Sequence, residues 1–208
     1  MKLLVLGATG GIGIELVKQA IETQHEVTAF VRNSDALVAF GNKVTGVKGD
    51  LLSSWDLQQV IQGHDAILSG FGPRVPIAKD EHDLLTRFSS SLIEAAKRTT
   101  LKRVLVVSVA FLFRNALVPP AYLLGKLFFP SVVRDAANME EQIVKSGLDW
   151  TLVRPPQLTD TPRTGKYRFR VGSLPSLGFK ISRADVADYM LRALEDNTTI
   201  GEIVGVSN

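Results

Sequence analysis

Residues 1–32 read MKLLVLGATGGIGIELVKQAIETQHEVTAFVR, and this segment constrains the fold more than any other. Lys2 to Leu6 is a short, mostly apolar run of the length of a buried parallel strand. Gly7-Ala8-Thr9-Gly10-Gly11-Ile12-Gly13 cuts it off, and beyond it Ile12, Leu16, Val17, Ala20 and Ile21 recur at helical spacing. Glu26 to Val31 is a second strand-like run. A strand, a glycine turn, a helix and a strand within about 30 residues make a βαβ dinucleotide unit. Gly7 permits the tight turn, Gly10 lets the backbone approach a pyrophosphate, and Gly13 lets the helix lie close on the strand. Thr9, Gly10, Gly11 and Ile12 lead into the helix, where free N–H groups and the positive dipole end suit phosphate. The unit predicts a doubly wound α/β domain with a mostly parallel sheet and helices on both faces.

The end of the second strand bears on the choice of dinucleotide. A carboxylate there accepts hydrogen bonds from the ribose 2′-hydroxyl of NAD. This chain has Phe30-Val31-Arg32-Asn33-Ser34, and its first carboxylate is Asp35. Arg32 is a planar cation suited to a 2′-phosphate, and the Ser34 hydroxyl can add a hydrogen bond. NADP(H) is the expected cofactor; the alternative is a surface arginine at a strand end.

A length of 208 residues suits one domain with one core, here expected over 1–208. The net charge of +3 makes no case for nucleic acid. Without cysteine, disulfides, thiolate catalysis and cysteine-ligated metals are excluded. His25, His64 and His82 lack ligand spacing, so no metal site is expected. No apolar run approaches a membrane span, and a strand starting at Lys2 leaves no room for a signal peptide. A cytoplasmic monomer is expected.

Further along, Ala36 to Phe40 reads as a short helix, Val44 to Val47 as a third strand, and Ser54 as the cap of a helix carrying Leu57, Val60 and Ile61. Asp50 can accept from an adenine amino group, with the Leu51 backbone alongside, or cap the next turn. Asp65 to Ser69 is the fourth strand. Gly70 and Gly72 follow it on the edge where open α/β sheets bind ligands, where the backbone can pass the cofactor ribose and pyrophosphate. Arg74 either reaches a phosphate or anionic substrate or is a solvated loop residue. Glu81 to Arg98 has the pattern of a long amphipathic helix, and Lys102 to Ser108 that of a doubly covered strand. Ser108 closes that strand, facing the expected nicotinamide. Trp150 to Val153 is the sixth strand, and Pro155, Pro156 and Gln157 leave its end as pocket candidates. Arg168 to Val171 is expected in a small hairpin-like excursion. Ser182 should cap a last helix, Ala184 to Leu194, and Glu202 to Val206 supplies a final strand. The substrate pocket is expected from the strand ends with segments 109–131 and 155–180.

The glycine spacing, G-x-x-G-x-x-G, resembles the short-chain dehydrogenase/reductase superfamily, and GATGGIG resembles its extended and atypical branches. Over nearly its whole length the chain is similar to one atypical family, that of NADPH-dependent flavin reductase/biliverdin-IXβ reductase and its NAD(P)H-binding relatives. The similarity rests on GATGGIG at 7–13, VR at 31–32, GD at 49–50 and AFLF at 110–113 with VPP at 118–120. It continues through SGLDWTLVRPPQLTD at 146–160, TGKY at 164–167 and ISRADVADYM at 181–190. The resemblance implies a Rossmann-type fold and a catalytic hydroxyl at Ser108, which would bond the substrate or the carboxamide and help order the nicotinamide.

Tyr122 and Lys126 mimic the superfamily's Y-x-x-x-K pair. Pro119-Pro120 before them, Gly125 between them and Pro130 after them make a poor long helix, so the segment is read as an apolar lid. The better helix is Val132 to Ser146, where Val133 and Ala137 hold the positions that atypical members use. Two departures bear on the acceptor. Val109 stands where the reductase has serine before Ala-Phe, and Gln157 where it often has histidine. Flavin reduction tolerates both losses, because hydride passes to flavin N5 without an enzymic acid; bilin reduction also needs a proton. Arg74, Val109, Phe111, Phe113, Tyr122 and Gln157 are the candidate acceptor contacts, the aromatics by stacking. The expected function is NADPH-dependent reduction of a flat acceptor, free flavin or a linear tetrapyrrole. The alternatives are a non-catalytic NADP(H) sensor and a reductase or epimerase of a small carbonyl or sugar compound.

Overall fold

The computed structural model describes residues 1–33, 35–72, 82–113 and 130–208. Leu3 to Leu6 are fully buried in β1 (Lys2–Leu6), the strand about which the sheet is built. Parallel partners flank it, β2 (Glu26–Val31) on one side and β4 (Ala66–Ser69) on the other. β3 (Val44–Lys48) extends one wing; β5 (Arg103–Val107), β6 (Asp149–Arg154) and the C-terminal strand extend the other. Sequence order reverses between β1 and β4, and the crevice at such a reversal is where open α/β sheets hold ligands.

Alternation along β1 supplies both faces of the sheet. Leu3 and Val5 pack under α1 (Gly11–Glu22) and α5 (Arg183–Glu195). Leu4 and Leu6 pack under α2 (Ser54–Ile61), α3 (Leu84–Lys97) and α4 (Pro130–Val144). Pro130 opens α4, where its fixed φ and missing N–H cost nothing. From α4, Asp135 reaches across to α3 and accepts hydrogen bonds from Leu85 N–H (2.8 Å), Thr86 N–H (2.9 Å) and the Thr86 hydroxyl (2.6 Å). It does the capping that Asp83, the residue at the start of α3, does not.

Three expectations change. Ser53, not Ser54, caps α2: its Oγ accepts from Asp56 N–H at 3.2 Å, because Ser53 has the extended backbone a cap needs. Gln157–Thr159 and Lys180–Ser182 form an unanticipated parallel pair, β7 and β9. Arg168–Val171, as β8, is no separate excursion. It pairs antiparallel with β10 (Glu202–Ser207) and closes the far edge of the main sheet. Among the described residues no helix is long and apolar enough to cross a membrane.

Candidate cofactor site

Gly7 adopts φ +69°, and a Cβ there would lie 2.8 Å from the backbone of Phe71, so the turn needs glycine for both conformation and space. At Gly10 a Cβ would approach the Gly7 carbonyl to 3.2 Å, and at Gly13 it would collide with that same carbonyl. The first turn of α1 is thus pressed onto the end of β1. Among the described residues no side chain caps α1, and no acidic residue lies in its first turn, so its leading N–H groups suit an anion. Gly10 and Gly11 are exposed there, Thr9 is half-buried and Ile12 buried. This cradle fits the diphosphate of a dinucleotide. Gly70 packs against Ile12 and the Gly13 N–H, where a Cβ would come within 3.0–3.3 Å; a Cβ on Gly72 would meet nothing within 4 Å among the described residues.

At the β2 end Arg32 is exposed and enters no ion pair among the described residues. Asp35, the nearest carboxylate in sequence, accepts from the Asn33 amide at 2.9 Å, and its N–H donates back to Asn33 at 3.1 Å. Ser34 lies outside the described residues. Asp50 is exposed and Leu51 half-buried beside the same edge. One Asp50 carboxylate oxygen accepts from Leu52 N–H at 3.0 Å, which is the turn-capping alternative; the geometry leaves the adenine role open to the other oxygen.

The ends of β5 and β6 are knitted together: Ser108 N–H donates to Val153 O (2.8 Å) and Ala110 N–H to Pro155 O (3.1 Å). Ser108 is 5% exposed, and its hydroxyl has no partner among the described residues. A buried hydroxyl without a partner is costly. Pro155 is buried, Pro156 half-buried, and Gln157 exposed at the start of β7, its N–H donating to Phe179 O. Val109 and Phe111 are half-buried.

Phe113 is 5% exposed, and the Arg154 guanidinium lies over its ring at 4.5 Å. Arg154 itself is buried and paired with Glu140 of α4 through Nε–Oε1 (2.9 Å) and a second Nη2–Oε2 contact. A cavity of about 560 Å³ runs along α4 and is bordered by Leu112, Val133, Ala137 and Arg154. Val133 and Ala137 therefore border this space and carry no titratable proton. Arg74, Tyr122 and Lys126 lie outside the described residues, as does 114–129 of the expected 109–131 pocket segment.

The profile of a family described as NAD(P)H-binding matches residues 7–197. The chain belongs to the NAD(P)H-binding family. It is similar to the uncharacterised YwnB of Bacillus subtilis, 27% identical over 203 residues covering 94% of this chain and 92% of that one. In structure it resembles the oxidoreductase ylbE of Lactococcus lactis, with a TM-score of 0.85 and 22% identity over all of this chain and 91% of that one. A short-chain dehydrogenase/reductase of Veillonella parvula, solved in complex with NADP, gives 0.80 at 20% identity over 100% and 94% of the two chains. At such identities these structures establish the Rossmann-type fold. The family membership makes NAD(P)(H) a ligand of the chain, and the glycine cradle has the shape its diphosphate needs.

A junction that local sequence patterns did not announce joins the 164–165 loop, the start of α5 and α1. Asp185, fully buried, accepts from Thr164 N–H (2.8 Å), Gly165 N–H (2.9 Å) and the Thr164 hydroxyl (2.9 Å), pinning the 164–165 loop to the start of α5. Burial alone would raise its carboxyl; the bonds from Gly165, Thr164 and Ser182 outweigh burial and hold it below the usual range. Gln19 on α1 donates to Ala184 O at 2.9 Å, and Arg183 lies across Gly11. Ser182 to Asp185 lie in ISRADVADYM, a string legible as a resemblance, a Ser182 cap and the last helix, but nothing in it announces a contact with Gly11.

Proposed function

We propose that the chain is an NADPH-dependent reductase that delivers hydride to a flat conjugated acceptor, free flavin first and a linear tetrapyrrole second. The observation that carries this reading is the chemistry at the ends of β5 and β6. Among the described residues that edge offers the Ser108 hydroxyl, backbone fixed by Pro155 and Pro156, and the Gln157 amide, but no group tuned as a proton donor. A site of this kind suits an acceptor that needs only orientation. When bound, NADPH supplies the hydride; two electrons and one proton pass to flavin N5, and solvent protonates the second nitrogen as required. The protein's part is to hold two flat rings together and raise their effective concentration. Exposed Arg32, with Asp35 already engaged by Asn33, supports NADP(H) over NAD(H). The enzyme is read as a cytoplasmic monomer.

The test is loss of nicotinamide absorbance with FMN, riboflavin and biliverdin offered separately, NADH serving as control. Rapid, NADPH-preferring flavin reduction is expected. Tight NADPH binding without turnover on any acceptor would overturn the reductase reading in favour of a sensor.

A further inference from the structure

We infer that Arg183 is a cofactor-binding residue that reaches the diphosphate from the far end of the chain, and that position 11 is glycine in order to admit it. Arg183 is the first residue of α5, yet its side chain runs across the first residue of α1. A Cβ on Gly11 would lie 2.5 Å from Arg183 Cδ and 2.7 Å from Nε. Gly11 has no left-handed backbone to explain it, unlike Gly7, and its three nearest would-be contacts are with this one side chain, unlike those of Gly13. The arm is aimed by its base: Ser182 caps α5 by accepting from Asp185 N–H at 2.9 Å, and Gln19 ties Ala184 to α1.

The charge makes little sense without an anion. A cation here stands at the positive ends of two helices, which is unfavourable. Its visible partner is Asp160, at 2.6 Å, but that side chain is 88% exposed and such pairs contribute little to stability. A diphosphate seated on the first turn of α1 would satisfy the uncapped N–H groups and the guanidinium together, with charge-assisted hydrogen bonds. Asp160 then parks the arm and competes with the phosphate for it. This inference rests on the chain's binding of NAD(P)(H) and not on the identity of the acceptor.

The experiment measures dissociation constants of the intact protein for NADPH, NADH and adenosine 2′-monophosphate, which lacks a diphosphate. Arg183→Gln should weaken NADPH and NADH alike by about tenfold or more, the worth of a charge-assisted hydrogen bond. It should leave adenosine 2′-monophosphate unchanged and flatten the salt dependence of NADPH binding. Gly11→Ala, which displaces the flexible arm, should weaken both dinucleotides in the parent protein and add nothing in the Arg183→Gln background. Asp160→Asn should tighten both dinucleotides, whereas a merely structural tether would make it mimic Arg183→Gln. Unchanged dinucleotide binding in Arg183→Gln would overturn the assignment. So would equal weakening of adenosine 2′-monophosphate, or a Gly11→Ala penalty of the same size in both backgrounds. Because the readout is binding, these outcomes are independent of whether flavin is ever reduced.

Discussion

Replacing Asp185 by Asn tests the join between the last helix and the loop before it, on which the placement of Arg183 depends. The carboxylate is fully buried and takes three hydrogen bonds, from Thr164 N–H and Gly165 N–H on one oxygen and the Thr164 hydroxyl on the other. Bonds to a charged acceptor contribute about 1.5–3 kcal/mol each, neutral ones about 1. Asparagine can keep its carbonyl toward the two N–H groups as a neutral acceptor but turns a donor toward Thr164. The net loss at neutral pH is therefore about 2–4 kcal/mol. For a chain of this length it lowers the midpoint of thermal unfolding by roughly 5–12 °C. The carboxyl's folded pKa is depressed, so its contribution is complete above the unfolded value of about 4 and is lost as pH falls through the folded value. Urea unfolding of both proteins at about pH 7 and about pH 3 should show a wide gap that narrows in acid. A gap below about 0.5 kcal/mol at neutral pH, or the same gap at both, would refute the reasoning.

Three further outcomes are expected. Arg32→Ala should weaken NADPH by about 1.5–3 kcal/mol in a binding titration and leave NADH nearly untouched; equal losses would remove Arg32 from the 2′-phosphate. Glu140→Ala leaves the buried Arg154 guanidinium without its carboxylate and should cost about 3–5 kcal/mol in urea unfolding. Ser108→Ala removes a hydroxyl that has no described protein partner, so stability should hold within about 1 kcal/mol while flavin turnover falls. A stability loss without a turnover loss would make Ser108 a structural residue.

How far the fold could be read depended on how local its determinants are. Leu3 to Leu6, the glycines and the stripe from Ile12 to Ala20 each declare a strand, a turn or a helix within a few residues, and their boundaries agree with β1, α1 and β2. Ser53 and Ser54 are chemically identical, and only backbone geometry chooses the cap. β7 and β9 have three residues each, too few for period two to show, and they meet only after the intervening chain has folded back. β8 alternates Arg and apolar residues as any exposed strand does; its pairing with β10 is a long-range fact. Nothing near Phe113 in sequence announces the Arg154 guanidinium over its ring. Arg183 and Gly11 are separated by most of the chain, so a side chain that completes a backbone-built cradle left no local pattern.

The glycines of the first loop therefore fall into two kinds, and substitution should separate them. Gly7 and Gly13 are held by backbone: Gly7 by positive φ and Phe71, Gly13 by the Gly7 carbonyl, with the Gly7 carbonyl carbon at 2.7 Å and Ala8 Cα at 2.8 Å from a would-be Cβ. None of these atoms can move without parting α1 from β1, whose junction carries Leu16, Val17 and Ala20 into the core. Gly13→Ala should thus destabilise the protein by at least the 1–3 kcal/mol of ordinary overpacking and abolish tight cofactor binding with it. The three atoms nearest a Cβ on Gly11 all belong to the flexible arm of Arg183, and alanine is the better helix former. Gly11→Ala should accordingly leave thermal stability unchanged or slightly raised while the dinucleotide dissociation constant climbs. Loss of stability in both variants would mean that Gly11 serves the fold rather than the ligand.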